Sequence, residues 1–306
     1  MKKLLCLFLA VAMLFCTACQ AQEPEQEIQI DPTSGSENRK EIYVALYFAD
    51  TEYSMLVREL RKTRVSVDAN VEKKVLEELL LGPSIPISMA QIINPDTQVV
   101  RVKQDGRVLT VVLSKEFLDW SFIENARPIE ESNAVKQLAV YSVINTLVEA
   151  TGCPQVQILV DREGDGTGQR INLSEIGMGS SGVLEPMGRN AELILSAQKT
   201  IEQILNALKE RNYAAVYDFL AYEDEDERPS ESVFVSWCQN NGVVLDYFQV
   251  TELLEQSNQG SALLMVNYSL KQGNSLRSYS AYPLRLVQEN SIWKIRFSDL
   301  EKFMEY

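Results

Sequence analysis

The sequence contains no histidine, and this absence removes a large part of the usual catalytic repertoire. Serine and cysteine hydrolases that use histidine as the general base need that residue, and many zinc sites need it as a ligand. Carboxylate pairs, lysine, tyrosine or a serine–lysine arrangement are the side chains left for acid–base or nucleophilic chemistry. The composition therefore favours binding over catalysis.

Cysteine is also scarce in the part of the chain that is expected to fold. Of the five cysteines, three lie within the first 19 residues, which leaves Cys153 and Cys238. These two sit in apolar surroundings and in what we interpret as different domains. They do not form a disulfide framework, so we expect a buried free thiol at each position.

Positive charge is in deficit, because 29 Lys and Arg face 43 Asp and Glu, a net charge of -14. Phosphate binding depends on neutralisation by Lys and Arg, so we predict no nucleic-acid partner. The acidic excess of the whole chain also argues against electrostatic docking on anionic lipid. The hydrophobic share of 45% is that of a globular protein, and the length suits two ordinary domains.

Long apolar runs are missing except at the N-terminus, where Lys2 and Lys3 precede a run from Leu4 to about Ala18. Its roughly 15 residues match the core of a signal peptide. A membrane-spanning helix needs roughly 20 apolar residues, so this run is short for a permanent anchor. We therefore predict a signal peptide at residues 1–18.

The end of this run resembles the lipobox of bacterial lipoproteins, because the small residues Thr17-Ala18 stand directly before Cys19. In that family the cysteine is diacylated and becomes the new N-terminus. The position three before the cysteine is usually Leu, Val or Ile, and here it is Cys16. The resemblance implies an anchor on Cys19, with palmitate as a typical acyl chain. An ordinary signal peptide that releases a soluble protein is the alternative.

Two polar segments divide the remaining chain into domains. Residues 19–40 contain Pro, Ser and Gly without periodicity, which is typical of a flexible tether. Glycine and serine cluster again near residues 179–190, where we place a linker. These segments delimit a first domain at residues 41–178 and a second at residues 191–306.

In the first domain the pattern predicts a β-α-β-β-α-β order, an α+β class with helices on one face of a sheet. The apolar run Glu41–Asp50 suits a strand buried on both faces. Val71–Leu81 has apolar residues at helical spacing and ends at Gly82-Pro83, and Asp105-Gly106 predicts a hairpin. The remaining predicted elements are a helix and a strand, at about Ser132–Thr151 and Pro154–Val160.

The second domain is expected to place its helices before its strands. Apolar residues recur at helical spacing from Leu193 to Leu208, and shorter helical segments follow. After Gly242 four strand-like runs are separated by polar turns, which predicts an antiparallel meander in an α+β domain.

Four stretches of the first domain resemble a known family. They are Val44–Thr63, Val71–Pro83, Val108–Phe117 and Ala139–Gly164. In their order they resemble the GerMN domain of bacterial sporulation and spore-germination lipoproteins. That resemblance implies extracytoplasmic location, lipid anchoring and participation in spore-envelope or septal assemblies of Gram-positive bacteria, without a known catalytic site. The family more often has Asp after the position of Val111, where this chain has Val112, so no role of that carboxylate carries over.

The second domain is similar to the nuclear-transport-factor-2-like cone, a curved sheet wrapped by helices. The stretch Leu284–Ile295 carries this resemblance, because such domains often end in paired strands with Trp-Lys after a tight turn. That fold hosts enzymes, binding domains and scaffolds, so it implies little about function.

Two acidic stretches have the composition of metal or partner sites, and we interpret both as loops. Asp161–Gly168 alternates carboxylates but lacks the closing bidentate Glu of a calcium loop, so we interpret it as an acidic turn. The run Glu223–Arg228 is interpreted as a solvated loop between helices, since its like charges repel. We expect neither metal nor cofactor.

Two further groupings have a catalytic and a structural interpretation. Asp119 and Glu124 flank Trp120, as carboxylates do in sugar-cleaving sites, but among 43 acidic residues such coincidences are expected. Asn145 and Thr146 lie in an apolar helix, where we expect hydrogen bonds at a packing contact.

Taken together, these patterns predict a non-enzymatic protein on the outer face of the bacterial cell membrane, anchored through Cys19. Its expected partners are the membrane, envelope or septal proteins, and peptidoglycan, in spore formation, germination or envelope assembly. The alternatives are a carboxylate-based enzyme acting on cell-wall glycan and a small-ligand-binding protein that uses the second domain.

Overall fold

A computed structural model describes five stretches of the chain, residues 39–86, 88–125, 128–222, 228–256 and 260–305. The predicted signal peptide, Cys19, nearly all of the tether and most of the acidic run 223–228 lie outside the described residues. From Lys40 onward the chain belongs to one compact unit, Lys40–Tyr306, which holds two hydrophobic cores.

The first core begins with a three-stranded sheet of order β2-β1-β3. Its strands are β1 Arg39–Asp50, β2 Leu56–Ser66 and the short β3 Met89–Ala90. The run from Val44 to Ala49 is buried on both faces, as its continuous apolar sequence predicts. Helix α1, Val71–Leu80, follows β2 and begins at Asn70, whose side chain accepts from the N–H of Lys73.

A second sheet of the first core has the order β4-β5-β6-β7. Its strands are β4 Val99–Asp105, β5 Val108–Ser114, β6 Gln155–Asp161 and β7 Gln169–Arg170. Strands β4 and β5 are antiparallel around Gly106, whose positive φ of 58° suits the turn. Strands β5 and β6 are parallel, so the chain between them must cross over.

Two helices make this crossover, the short α2 Ser121–Glu124 and the long α3 Ile129–Thr151. Helix α3 ends at Gly152, which adopts the left-handed conformation and donates its N–H to the carbonyl of Val148. Much of α3 is buried in the first core, and this position brings its side chains against β1.

The α+β class is confirmed, but the predicted β-α-β-β-α-β order omits strands β2, β3 and β7, and the first core has two sheets where one was predicted. Strands β3 and β7 have two residues each, which is too short for a sequence pattern, whereas β2 has eleven. The alternation of apolar and polar residues that marks a strand is absent there, because the inward-facing side chains include Glu59, Arg61 and Thr63. These polar groups are buried or half-buried and bonded, so the strand is real although its sequence looks like a charged surface.

The second core combines helices α4 Ala197–Lys209, α5 Tyr213–Asp218 and α6 Glu231–Asn240 with a four-stranded sheet. The antiparallel sheet has the order β11-β10-β9-β8. Its strands are β8 Val243–Gln256, β9 Ser261–Gln272, β10 Ser275–Glu289 and β11 Ile292–Ile295. A helix absent from the sequence prediction, α7 Phe297–Phe303, packs its Phe303 against Tyr268 of this sheet. The resemblance to a cone stays a prediction.

The segment between the cores is packed rather than extended. Within residues 179–190, the interval where we predict a linker, Leu184 is buried and Met187 exchanges backbone hydrogen bonds with Val156. Ile194 still belongs to the first core, and Ala197 opens the second. The Leu195 N–H donates to the carbonyl of Leu56, which fixes this connection beside β2.

Candidate functional site

The predicted lipid anchor, Cys19, lies outside the described residues and stays a prediction. Across the part of the chain that the structure describes, no helix is both long and apolar enough to span a membrane. The folded unit does contain a polar cluster that joins β1, β2 and α3. Buried side chains of α3 hold this cluster in place.

Three polar side chains of α3 are completely buried, namely Ser142, Asn145 and Thr146. Thr146 Oγ1 accepts from the N–H of Tyr47 at 3.1 Å, and Ser142 Oγ donates to the carbonyl of Tyr47 at 2.5 Å. Asn145 exchanges two hydrogen bonds with the backbone of Asn190. This agrees with our interpretation of Asn145 and Thr146 as bonded at a packing contact, and it fixes the position of Tyr47.

Tyr47 contacts three charged side chains or their partners. We call the group of Tyr47, Arg58, Glu149 and Arg189 the Tyr47 cluster. The Tyr47 hydroxyl donates to Glu149 and accepts from Arg189 Nη2 at 3.1 Å. Arg58 donates from Nε to Glu149 Oε1 at 2.8 Å, and its Nη2 lies 2.7 Å from the same oxygen. Arg189 lies 4.0 Å from the other carboxylate oxygen.

The surroundings keep Glu149 ionised. Burial alone would raise the pKa of Glu149, but the hydrogen bonds from Arg58 and Tyr47 outweigh burial and lower that pKa below its usual range. Burial raises the pKa of Tyr47, which holds the phenol neutral. With two guanidinium groups and one carboxylate, the cluster has a net charge of about +1.

A general acid needs a carboxyl group whose pKa is raised toward neutrality. The pKa of Glu149 is lowered instead, so this carboxylate is suited to holding guanidinium groups rather than to delivering protons. The chemistry that the Tyr47 cluster supports is recognition of a polar or anionic group.

The Tyr47 cluster opens into a cleft of about 540 Å³ whose lining includes Arg58, Arg189, Ser196, Gln288 and Trp293. This volume lies within the range of small-ligand and peptide-side-chain pockets. Within the described chain Arg189 donates a single hydrogen bond, so most of its five N–H donors remain for a partner. The cleft therefore combines free guanidinium donors, hydroxyl and amide groups and one tryptophan.

A second buried network surrounds Arg61 and has a structural role. Arg61 Nε donates to Glu59 at 2.8 Å, while Nη1 and Nη2 donate to the carbonyls of Glu78 and Gly82, each at 2.7 Å. These carbonyls lie at the C-terminal end of α1, which leaves backbone acceptors without helical partners. The network explains why a Leu-Gly-Pro stretch follows α1, since Gly82 adopts a φ of +85° there.

The acidic turn Asp161–Gly168 uses its carboxylates internally. Asp161 is buried and accepts from the N–H groups of Gly164 and Gly166 at 2.8 Å and of Asp165 at 3.2 Å. Asp165 in turn accepts from the N–H of Thr167. These bonds support the interpretation as a turn.

The grouping around Trp120 does not bring two free carboxylates together. Glu124 pairs with Lys136 at 2.6 Å, and Asp119 accepts from the N–H of Ser121. Hydrogen bonds from Ser121 lower the pKa of Asp119. Trp120 is buried and packs edge-to-face on Phe117, which is a core contact.

Both remaining cysteines are buried and free, as predicted. Burial raises the pKa of the Cys238 thiol to about 12, so this thiol is not a nucleophile at neutral pH. Cys153 donates its thiol hydrogen to the carbonyl of Arg107 at 3.2 Å.

The Tyr47 cluster has no counterpart among the sites predicted from the sequence. Glu149 is 91 positions from Arg58, and Arg189 is 142 positions from Tyr47. No local motif spans such distances. The one local feature that could have indicated a site is the charged Glu149 near the end of an apolar helix. A charged residue at that position is equally typical of a helix end that faces solvent.

The comparison with family models finds one likeness, within the first 166 residues of the chain. A model named Germane, described as "Sporulation and spore germination", matches residues 45–166. The match covers about two fifths of the chain, so residues 45–166 resemble a Germane domain. Three members of the Tyr47 cluster and the whole Arg61 network lie inside the matched residues, whereas Arg189 lies beyond them.

Solved structures that are similar to part of this chain include a protein described as "Putative Lipoprotein from Clostridium perfringens". It is 19% identical over 49% of this chain and 88% of its own, with a TM-score of 0.27. The tandem GerMN domains of the sporulation protein GerM from Bacillus subtilis are 15% identical over 51% of this chain and 48% of theirs, with a TM-score of 0.34. This chain thus spans about half of that tandem structure.

The first GerMN domain of the same Bacillus subtilis protein is 18% identical over 48% of this chain and 98% of that domain, with a TM-score of 0.30. No curated protein matches the sequence. The Germane match, over residues 45–166, is therefore the finding that relates part of this chain to sporulation and spore germination.

Proposed function

We propose that this chain is a non-enzymatic lipoprotein of the outer face of the cell membrane that acts in sporulation or germination by binding envelope proteins or the cell wall. The match of residues 45–166 to the Germane model is the observation that carries this proposal. The N-terminal sequence supports the location, because an apolar run and a small residue pair precede Cys19 and a polar tether follows it.

Anchoring is tested by following the processing of the precursor. We expect wild-type protein to partition into the detergent phase of Triton X-114 and to accumulate as precursor when cells receive globomycin. Cys19→Ala should abolish both behaviours, with Cys16→Ala as the matched control that leaves them intact. Unchanged processing in Cys19→Ala and in drug-treated cells would exclude the anchor.

Binding rather than catalysis is supported by the absence of histidine and by the state of the carboxyl groups. Glu149 and Asp119 both have pKa values below their usual range, and Glu149 and Glu124 are each paired with a basic side chain. Purified protein incubated with peptidoglycan should release no muropeptides. Their release would favour the alternative of a carboxylate-based glycan hydrolase.

The cleft beside the Tyr47 cluster is the surface on which we expect a partner. A photo-crosslinking amino acid placed at the exposed Gln288 samples this cleft, and the same amino acid at the exposed Lys271 of β9 is the control. We expect a specific adduct from position 288 in sporulating cells, weakened by Arg189→Gln and absent from position 271. Equal labelling from both positions would remove the cleft from the proposal.

A further inference from the structure

We propose that the cleft beside the Tyr47 cluster binds a carboxylate group of a peptide, with Arg189 as the principal donor. This inference rests on the proposed function and deepens it, because it names the chemical group that the partner presents to the cleft. It depends on the arrangement of side chains along one hairpin, on the net charge of the cleft and on the fixed position of Arg189.

The β10–β11 hairpin divides its side chains between two cavities. Gln288 of β10 pairs with Trp293 of β11, and paired residues of antiparallel strands project from the same face of a sheet. Both residues line the cleft beside the Tyr47 cluster. The neighbouring pair, Glu289 and Ile292, projects from the opposite face and lines a different cavity. There the Glu289 carboxylate accepts from the Tyr222 N–H, so this acidic group lies outside the cleft.

The cleft keeps a net positive charge after its acidic residues are counted. Its charged lining residues are Arg58, Glu149 and Arg189. Two positive charges against one negative charge give about +1. Glu192 lies two residues before the lining segment 194–196, but it pairs with Lys199 at 3.1 Å and adds no net charge. Although the chain as a whole carries -14, this cleft therefore attracts an anionic group.

Arg189 is the basic group of the cleft with the most free donors. Glu149 Oε1 accepts from Arg58, and Glu149 Oε2 accepts from the Tyr47 hydroxyl. Within the described residues Arg189 donates one hydrogen bond, to the Tyr47 hydroxyl, and its Nη2 stays 4.0 Å from Glu149. A guanidinium group has five N–H donors in a planar fork, which matches the two oxygens of a carboxylate. The Arg189 side chain is 41% exposed, so this fork is accessible from the cleft.

The backbone holds Arg189 in place on both sides. Two residues before it, Met187 exchanges hydrogen bonds with Val156. One residue after it, Asn190 exchanges two hydrogen bonds with the buried Asn145. A side chain on a fixed backbone has less conformational entropy to lose when it binds a ligand. This arrangement favours a recognition residue over a solvated surface arginine.

The charge and lining of the cleft favour a peptide carboxylate over a phosphate group. A net charge of about +1 neutralises one carboxylate. A phosphate monoester carries about -1.5 to -2 at neutral pH and would leave excess negative charge beside Glu149. Ser291 and Gln288 supply donors and acceptors for peptide groups, and Trp293 supplies an apolar surface. The volume of about 540 Å³ suits a short extended peptide, whose carboxylate comes from an acidic side chain or from the C-terminus.

Tryptophan NMR of the mature chain with Cys19→Ser, which stays free of an acyl chain, tests this proposal. Of the three tryptophans, Trp293 lines the cleft, Trp120 is buried in the first core and Trp237 lines another cavity. With ¹⁵N-labelled tryptophan, we expect acetyl-Gly-Glu-Gly-amide to shift the indole signal of Trp293 and acetyl-Gly-Gln-Gly-amide to leave it unchanged. Acetyl-Gly-Gln-Gly with a free C-terminal carboxylate is the second arm. A shift with either carboxylate supports the proposal, and the tighter of the two identifies the source.

Variants assign the contact to Arg189. Arg189→Gln should weaken binding of the Glu peptide about 10- to 100-fold, since a hydrogen bond to a charged group is lost. Arg189→Lys keeps the charge but not the planar fork, so it should recover only part of this affinity. The control Arg285→Gln removes one positive charge from an exposed position of β10 outside the cleft lining and should bind like the parent. The tryptophan spectrum of each variant without peptide reports whether it folds.

Three results would overturn the proposal. They are equal affinity for the Glu and Gln amide peptides, equal weakening by Arg189→Gln and Arg285→Gln, and tighter binding of a phosphoserine peptide than of the Glu peptide. The photo-crosslink from position 288 reports the cellular role separately. A specific adduct in cells without carboxylate binding in solution removes this inference alone, whereas carboxylate binding without an adduct supports it and removes the proposed cellular role.

Discussion

The two cores of this molecule are specified by different interactions. In the described residues, twelve buried polar or charged side chains belong to the first half and two to the second. Those of the first half include Glu59, Glu78, Lys136, Ser142 and Thr146, whereas those of the second half are Thr200 and Ser269. The second core is instead filled by aromatic contacts, such as Tyr268 on Phe303 and Phe234 beside Trp237.

This difference matters because hydrogen bonds are directional and apolar packing is much less so. A buried polar group stabilises one geometry and penalises others, since leaving it unpaired costs about 1–3 kcal/mol. The first core therefore positions the Tyr47 cluster through specific bonds. We expect the second core to tolerate rearrangement of its aromatic side chains as long as the packed volume is preserved.

The largest expected effect on the contrast between the two cores comes from replacing Arg61 of the first core. Arg61→Leu removes the basic partner of the buried Glu59 carboxylate, which keeps only the Ser84 N–H, and it removes the cap on α1. We therefore expect a loss of about 3–5 kcal/mol in the free energy of unfolding. Urea denaturation followed by circular dichroism measures it.

A double variant shows whether the cost comes from an unpaired charge. Glu59→Leu combined with Arg61→Leu removes both charges, and we expect it to be more stable than Arg61→Leu alone. If Arg61→Leu loses less than about 1 kcal/mol, the buried network does not specify the first core.

In the second core the corresponding change is Phe234→Ala. Phe234 is fully buried and touches Tyr217, Trp237 and Phe297. We expect a loss of about 3 kcal/mol, near the lower end for such truncations, because the half-buried Trp237 and Phe297 can move into the space. Phe234→Leu should recover most of this loss in the same denaturation assay. A greater loss in Phe234→Leu than in Phe234→Ala would contradict the view that packing volume controls this core.

The sequence predicts the elements that local patterns specify and fails where an element depends on contacts with distant residues. The bounds of two helices were predicted closely, since α1 is one residue shorter than predicted and α3 begins three residues earlier. These bounds are predictable because apolar periodicity and a terminal glycine are local signals. Strand β2 escaped prediction because its inward face is polar and its partners, Glu78 and Gly82, come from a helix that follows it. Local patterns cannot predict partners that only the tertiary fold supplies.

The candidate site shows the same limit. Asn145 and Thr146 stand out in the sequence because polar residues in an apolar helix are unusual. In the structure Asn145 bonds to Asn190 and Thr146 bonds to Tyr47. Tyr47, Arg58 and Arg189 have no such local mark, since each is ordinary for its segment. Cys19, the site residue that the sequence does predict, depends on a linear processing signal and needs no tertiary partner.

Replacement of a buried threonine by valine, which has the same shape, tests the contrast between the two cores with a smaller expected effect. Thr146 of the first core accepts from the Tyr47 N–H, whereas the hydroxyl of Thr200 in the second core has no partner in the described part of the chain. Thr146→Val should therefore lose about 1–2 kcal/mol, and Thr200→Val should be neutral or stabilising. Thermal and urea unfolding of the two variants measure this contrast, and equal losses would remove the distinction between the cores.

The smallest expected effect is a pH dependence that belongs to the first core. The pKa of Glu149 is lowered in the folded state, so its contribution is present above its unfolded pKa of about 4.3 and is lost as pH falls through the folded pKa. Glu149→Gln should cost about 1 kcal/mol at pH 7, and this difference from wild type should shrink below about pH 4. The difference caused by Phe234→Ala should not follow the titration of any carboxyl group, since an apolar contact is lost. Urea midpoints at pH 7, 5 and 3.5 separate the two behaviours, and a Glu149→Gln effect that stays constant over this range would show that its carboxylate charge does not stabilise the Tyr47 cluster.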